Sequence, residues 1–208
     1  MDGAHSRSAG ARSLSERLDG TVGNEILTSA AAIVLTVLLA AEGVTILNVG
    51  ALRTPHMFIG MVLIPPILVK LGSTGYRFAR YYLGARAYRE KGTPLLPLRL
   101  LAPLLVLATV GIFASGVALL IVGHHSDSLL ALHKVSFIVW AGCFAAHFLA
   151  HLPRMLRSVG ADWAPGRRRE VPGAPIRLAL VGGSIAAGLA LAVAVLPSIT
   201  GWHGGPSF

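Results

Sequence analysis

Five apolar stretches, each close to the length of one bilayer crossing, constrain this chain more than any other feature of its sequence. They cover approximately residues 26–49, 55–75, 98–122, 129–152 and 176–197. A transmembrane helix needs about 20 predominantly apolar residues. Charged residues make up 13% of the chain, whereas a soluble domain carries about 25%. The sequence therefore predicts an all-α membrane bundle of five transmembrane helices over residues 23–200, with a mobile tail at 1–22 and a short tail at 201–208.

The basic residues predict how these helices are oriented. Sixteen of the 18 Lys and Arg residues lie in the N-terminal segment 1–22, in the segment 70–99 or in the segment 154–177. Arg53 and Lys134 lie on the other side. Because cytoplasmic loops carry the excess of Lys and Arg, the N-terminus is predicted to be cytoplasmic and the C-terminus outside. The net charge of +9 then suits anionic lipid headgroups, and no nucleic-acid partner is expected.

The fourth stretch carries histidines at positions that favour a buried site. His133 and His147 are fourteen residues apart, which on an α-helix is about 40° short of four whole turns and a rise of about 21 Å. Both imidazoles therefore lie on nearly the same face, one near each side of the membrane. Ionisable side chains inside a membrane usually face the bundle interior and mark a functional site.

A possible partner for His133 opens the second stretch. His56 lies there, on the outer side of the predicted bundle, as does His133. Two neutral imidazoles on facing helices are the axial ligands that a six-coordinate haem iron requires. Gly60 follows one turn deeper on the same face, where a missing side chain leaves room for a porphyrin. Arg53 and Lys134 lie at the same edge and suit ion pairs with haem propionates.

These motifs resemble those of a known family. His56-x-x-x-Gly60 on one helix, with Leu132-His133 and His147-x-x-x-His151 on another, is similar to the small bacterial membrane b-type cytochromes. That family includes ubiquinol-oxidising cytochromes and the membrane anchors of formate dehydrogenases and nickel–iron hydrogenases. The resemblance covers residues 53–154. It implies a bacterial plasma membrane, haem b held by such histidines, electron transport, and a quinone or a redox subunit as partner.

One position departs from the family pattern. Fourteen residues after His56, where the resemblance implies a second ligand, the chain has Lys70. Three outcomes are open: one outer haem between His56 and His133, an additional inner haem between His147 and Lys70, or no haem. We favour a single outer haem, and we expect the ammonium of Lys70 to extend toward the cytoplasmic headgroups.

Two other functions remain open at this stage. The chain could be a cofactor-free membrane protein with a structural or accessory role, in which the histidines lie at the interface. It could also be a transporter that uses Glu42, Lys70 and the helix break expected at Pro65-Pro66, although no inverted repeat supports this. No hydrolase or phosphate-binding motif occurs, so enzymatic activity would be at most that of an electron-transferring component.

Overall fold

The computed structural model describes residues 21–90, 96–123, 126–162 and 173–202, except the side chains of 96 and 154–162. Within these ranges the chain forms seven helices and no strand, which confirms the all-α prediction. The helices are α1 (Thr21–Ile46), α2 (Val49–Tyr82), α3 (Arg86–Glu90), α4 (Leu96–Val122), α5 (Asp127–Asp162), α6 (Ala174–Ala194) and α7 (Leu196–Thr200). Among them, α1, α2, α4, α5 and α6 are long and apolar enough to cross a bilayer. The protein is therefore a multi-pass membrane protein.

Two helix starts differ from the sequence prediction. The first helix begins at Thr21, inside the segment predicted to be a tail, while residues 1–20 and 203–208 lie outside the described residues. The second begins at Val49, six residues before the predicted start at Pro55, because the Asn48 side chain accepts a hydrogen bond from the Ala51 backbone N–H. This early start places His56 in the third turn of α2 rather than at its first residue.

The break in α2 lies near its start rather than at the paired prolines. Leu52 has non-helical dihedral angles, with φ −106° and ψ 22°. Pro55 explains this position, because its ring lacks an N–H and clashes with the carbonyl four residues earlier. Pro65 and Pro66, where the sequence predicted the break, keep helical dihedral angles.

The transmembrane helices divide into two packed groups. In the first, α2 packs against α1 on one side and α6 on the other. Gly188 of α6 sits directly on the Val62 carbonyl of α2, so that a methyl group added at Gly188 would overlap it. Small residues allow helix backbones to approach this closely in membranes. Nearby, Met61, Ala192 and Ile199 complete a buried cluster.

The second group is the α4–α5 pair. A Cβ added to Gly111 would lie 2.7 Å from the Ser136 hydroxyl, and one added to Gly116 would lie 3.3 Å from Cε1 of His133. The small residues of α4 thus face α5, as the helix-contact pattern of small residues leads one to expect. Within the described ranges, the helix backbones approach one another less between the two groups than within them.

Large apolar side chains cover the outer faces of the bundle. Leu107 of α4 is 67% exposed, and Ile138 and Leu149 of α5 are 68% and 66% exposed. Soluble monomers rarely expose contiguous apolar patches of this kind. Side chains of this type suit contact with lipid tails, in agreement with the membrane assignment.

Two cavities lie in the seam between the helix groups. The histidine-pair cavity, of about 140 Å³, is at the end of the bundle that contains the Leu47–Asn48 connection, and His56 and His133 line it. The lysine cavity, of about 290 Å³, is nearer the opposite, basic end, and Lys70 and His147 line it. Both are bounded by side chains of α1, α2, α4 and α5.

Candidate functional site

The structure brings His56 of α2 and His133 of α5 together across the seam. Their ring centroids are 6.3 Å apart and their planes are nearly perpendicular, at 85°. Both rings line the histidine-pair cavity. The two histidines singled out in the sequence as candidate axial ligands therefore face each other at one end of the bundle.

A carboxylate and a hydroxyl hold the His56 ring. Its Nδ1 lies 2.9 Å from Oε1 of Glu42 and 3.0 Å from Oγ1 of Thr45. Both partners belong to the last two turns of α1, and the two-residue connection to α2 makes these helices antiparallel neighbours. Thr45 donates its own hydrogen to the Glu42 backbone carbonyl at 2.6 Å. The Nδ1–H of His56 is therefore directed at acceptors on α1.

The His133 ring is held in the same way by α4. Its Nδ1 lies 3.1 Å from the Ile112 carbonyl oxygen and 3.0 Å from the Ser115 hydroxyl. Ser115 donates to the Gly111 carbonyl at 2.6 Å, so its oxygen is available to accept. Gly116, one residue on, leaves space for the imidazole that a side chain would occupy.

This arrangement leaves one nitrogen of each ring, Nε2, available for a ligand. Histidines that ligate metals usually donate their other ring N–H to a carboxylate or a backbone carbonyl, which fixes the ring and its tautomer. Glu42 supplies the carboxylate for His56, and Ile112 supplies the carbonyl for His133. The described residues contain no cluster of three or more His, Cys, Asp and Glu side chains suited to a metal ion. The donor set is thus a pair of imidazoles.

The separation of the two rings suits one iron between them. Two metal–nitrogen bonds of about 2 Å, with about 1 Å from each nitrogen to its ring centroid, give a centroid separation of about 6 Å. The observed value is 6.3 Å. Imidazole planes can rotate about the iron–nitrogen axis, so a perpendicular pair is compatible with axial ligation.

The volume of the histidine-pair cavity is smaller than a haem needs. Cofactor pockets usually measure about 300–1,000 Å³, against about 140 Å³ here. The pair of imidazoles therefore fits the ligand set of a haem iron, whereas the cavity is smaller than the macrocycle needs.

The other residues singled out for this site divide between inside and outside the cavity. Arg53 and Gly60 line it, and Gly60 leaves space beside the Glu42 carboxylate, 3.8 Å from an added Cβ. The Arg53 guanidinium lies 5.6 Å from the ring centroid of Trp202, within the range of a cation–π contact. Lys134, in contrast, is exposed and does not line the cavity.

At the lysine cavity the structure corrects one expectation. The ammonium of Lys70 donates to the Thr28 carbonyl of α1 at 2.9 Å, inside the bundle. The expectation that it extends to the headgroups is therefore wrong, because an acceptor lies within reach between the helices. His147 lines the same cavity, and its Nδ1 is buried without a hydrogen-bond partner. His151, one turn on, directs its Nδ1 to the His147 carbonyl at 3.0 Å.

The sequence reasoning missed the groups that hold the two rings. Thr45, Ser115 and the Ile112 carbonyl were not predicted to contact the rings, nor was Glu42, which was considered as a polar residue of a possible transporter. The short link between α1 and α2 was the available signal for Glu42 and Thr45, because it makes the end of one helix face the start of the next. No sequence signal marks a backbone carbonyl such as that of Ile112.

Comparisons with known proteins add no assignment. No protein-family model, curated protein or solved structure matches this chain. The similarity of its motifs to membrane b-type cytochromes therefore remains a resemblance in residues 53–154.

Proposed function

We propose that this protein is a membrane electron-transfer protein that binds one haem b between His56 and His133. The observation that carries the proposal is the pair of imidazole rings. Their centroids are 6.3 Å apart, and both Nδ1 atoms are hydrogen-bonded to groups on neighbouring helices. The basic residues predict that this end of the bundle lies outside the cytoplasm. A haem held there would supply reversible one-electron transfer.

The residues around the rings would set their orientation. The Glu42 carboxylate would accept from the Nδ1–H of His56, which fixes the tautomer that leaves Nε2 to bind the iron and raises the basicity of the imidazole as a ligand. The Ile112 carbonyl acts in the same way on His133. Arg53, on the cavity wall, supplies a positive charge suited to an anionic substituent of the cofactor.

The partners in this proposal follow from the resemblance. A quinol dissolved in the bilayer or a redox subunit would exchange electrons with the haem, and the protein would act as a subunit or accessory of a quinol-linked complex in a bacterial plasma membrane. The lipid bilayer itself is the partner that the five apolar helices support directly.

One observation favours a cofactor-free structural or accessory protein instead. Buried polar groups need hydrogen-bond partners even where no ligand binds, and the Nδ1 atoms of His56 and His133 already have them. The small volume of the histidine-pair cavity agrees with this second reading.

Absorbance spectra of the purified protein distinguish the two functions. The full chain, produced in haem-sufficient cells and purified in a mild detergent, is expected to show a Soret band that shifts on reduction with dithionite. His56→Ala and His133→Ala should lose the six-coordinate spectrum, whereas His151→Ala, on the same helix as His133 but outside the histidine-pair cavity, should retain it. A folded wild-type chain without a Soret band would establish the cofactor-free alternative.

A further inference from the structure

The lysine cavity contains a few charged and polar side chains that the proposed electron transfer does not use. It is the larger of the two cavities, about 290 Å³ against about 140 Å³. Lys70 and Arg77 line its α2 wall. They are seven residues apart, or about 20° short of two turns, and therefore share one face of the helix. Both are cations beside a mostly apolar space.

Most N–H donors of the Lys70 ammonium have no acceptor among the described residues. An ammonium has three N–H donors, and among the described residues one acceptor reaches them, the Thr28 carbonyl at 2.9 Å. Leaving donors of a charged group without acceptors in a low-dielectric region is costly. An anionic group in the cavity would accept the remaining hydrogen bonds.

The opposite wall, formed by α5, adds an unpartnered imidazole. His147 lines the cavity and its buried Nδ1 has no hydrogen-bond partner. Its ring stacks on that of His151, with centroids 4.3 Å apart. The carboxylate among the described lining residues is that of Glu25, so two cations outnumber one anion. Charge complementarity therefore favours an anionic ligand.

An aromatic strip on α5 supplies an apolar surface beside these charges. Trp140 and Phe144 stack with centroids 4.6 Å apart and planes 9° apart, and Phe148 continues the stack at 5.6 Å. All three side chains line the cavity. A flat apolar wall next to two cations suits a molecule with a hydrophobic body and a charged head.

We propose that the lysine cavity binds an amphiphilic anion, with its carboxylate or phosphate on Lys70 and Arg77 and its apolar body against Trp140, Phe144 and Phe148. The shared chemistry is one acidic group on a hydrophobic body. An anionic phospholipid and a free fatty acid both provide it. Neither needs the histidine-pair cavity, so this site is independent of haem binding.

Binding measurements on the full chain test this proposal. Oleate and hexadecyl phosphate are added to the protein in an uncharged detergent, and phosphatidylglycerol is added to the protein in nanodiscs of phosphatidylcholine. Methyl oleate and inorganic phosphate serve as matched probes that lack the charge or the apolar body. Calorimetry and thermal unfolding are expected to show saturable binding of at least one acidic amphiphile. Oleate or hexadecyl phosphate would identify a free amphiphile, and phosphatidylglycerol a bilayer lipid.

Matched lysine variants locate the site. Lys70→Met should weaken binding at least tenfold, Lys70→Arg should retain it, and Lys134→Met, on the exposed face of α5, should not change it. Circular dichroism and elution volume check that Lys70→Met folds. If it does not, Arg77→Met provides the same comparison at the exposed end of the cavity, with an expected loss of at least threefold.

Three results would overturn the proposal. The first is equal binding of methyl oleate and oleate, and the second is binding of inorganic phosphate as tight as that of hexadecyl phosphate. The third is a haem spectrum that is lost in His147→Ala but kept in His133→Ala, because it would assign the lysine cavity to a macrocycle. Failure of the haem spectrum at His133 alone would leave the amphiphile site standing.

Discussion

The histidine-pair cavity and the lysine cavity lie in the same seam but use their polar groups differently. In the first, Nδ1 of His56 and Nδ1 of His133 are both hydrogen-bonded to neighbouring helices. In the second, among the described residues, Nδ1 of His147 has no hydrogen-bond partner and the Lys70 ammonium has one hydrogen-bond acceptor. Imidazoles fixed in this way suit the proposed metal ligation, whereas N–H donors without acceptors suit the proposed anion. Two histidines fourteen residues apart on one helix can therefore lie in cavities suited to different ligands.

The largest expected effect separates the two histidines of α5. His133→Ala removes one of the two imidazoles that would hold the proposed haem and should abolish the six-coordinate haem spectrum. His147→Ala changes the lysine cavity and should leave that spectrum in place. Absorbance spectra of both variants, normalised to protein concentration, provide the check. Equal loss in the two variants would remove the functional distinction between the cavities.

The next effect tests the carboxylate behind His56. Glu42→Ala removes the acceptor 2.9 Å from Nδ1, and loss of such an outer partner typically lowers metal affinity about 10- to 100-fold. Haem transfer to an apo-globin acceptor measures this change. Thr45→Val, which leaves the carboxylate in place, serves as the milder comparison. Unchanged haem retention in Glu42→Ala would show that the hydrogen bond from His56 to Glu42 does not support a ligand.

The third variant disturbs the packing of α6 against α2, and α2 lines both cavities. Gly188→Ala places a methyl group against the Val62 carbonyl, and overpacking of this kind costs about 1–3 kcal/mol in the free energy of unfolding. Gly182→Ala is the control, because an added Cβ there meets nothing within 4 Å. Unfolding titrations in detergent measure the difference. Haem and amphiphile binding should weaken together, and selective loss at one cavity would contradict a shared scaffold.

The smallest effect concerns the hydroxyl beside His133. Ser115→Ala leaves the Ile112 carbonyl at 3.1 Å as an acceptor, so haem affinity should fall less than about tenfold, below the range expected for loss of a sole partner. The same haem-transfer assay measures it. A loss greater than that of Glu42→Ala would reverse the assigned order of the two supports.

The sequence predicted the membrane fold well because hydrophobic length alone determines it. The boundaries were less certain: the Asn48 cap starts α2 before Pro55, which composition does not indicate. The facing of His56 and His133 could be anticipated because both lie early in helices that start at the same side. The positions of Lys70 and Glu42 could not, because each depends on which turn of α1 packs opposite it. The outward position of Lys134 likewise depends on the rotation of α5, which the sequence does not indicate.

Electron paramagnetic resonance of the oxidised full-length protein, with the haem-to-chain ratio measured on the same sample, tests the central claim most directly. We expect one haem per chain with the low-spin ferric signal of bis-imidazole ligation. That signal should be lost in both His56→Ala and His133→Ala. A folded protein without haem, or a low-spin signal that persists in both variants, would contradict it.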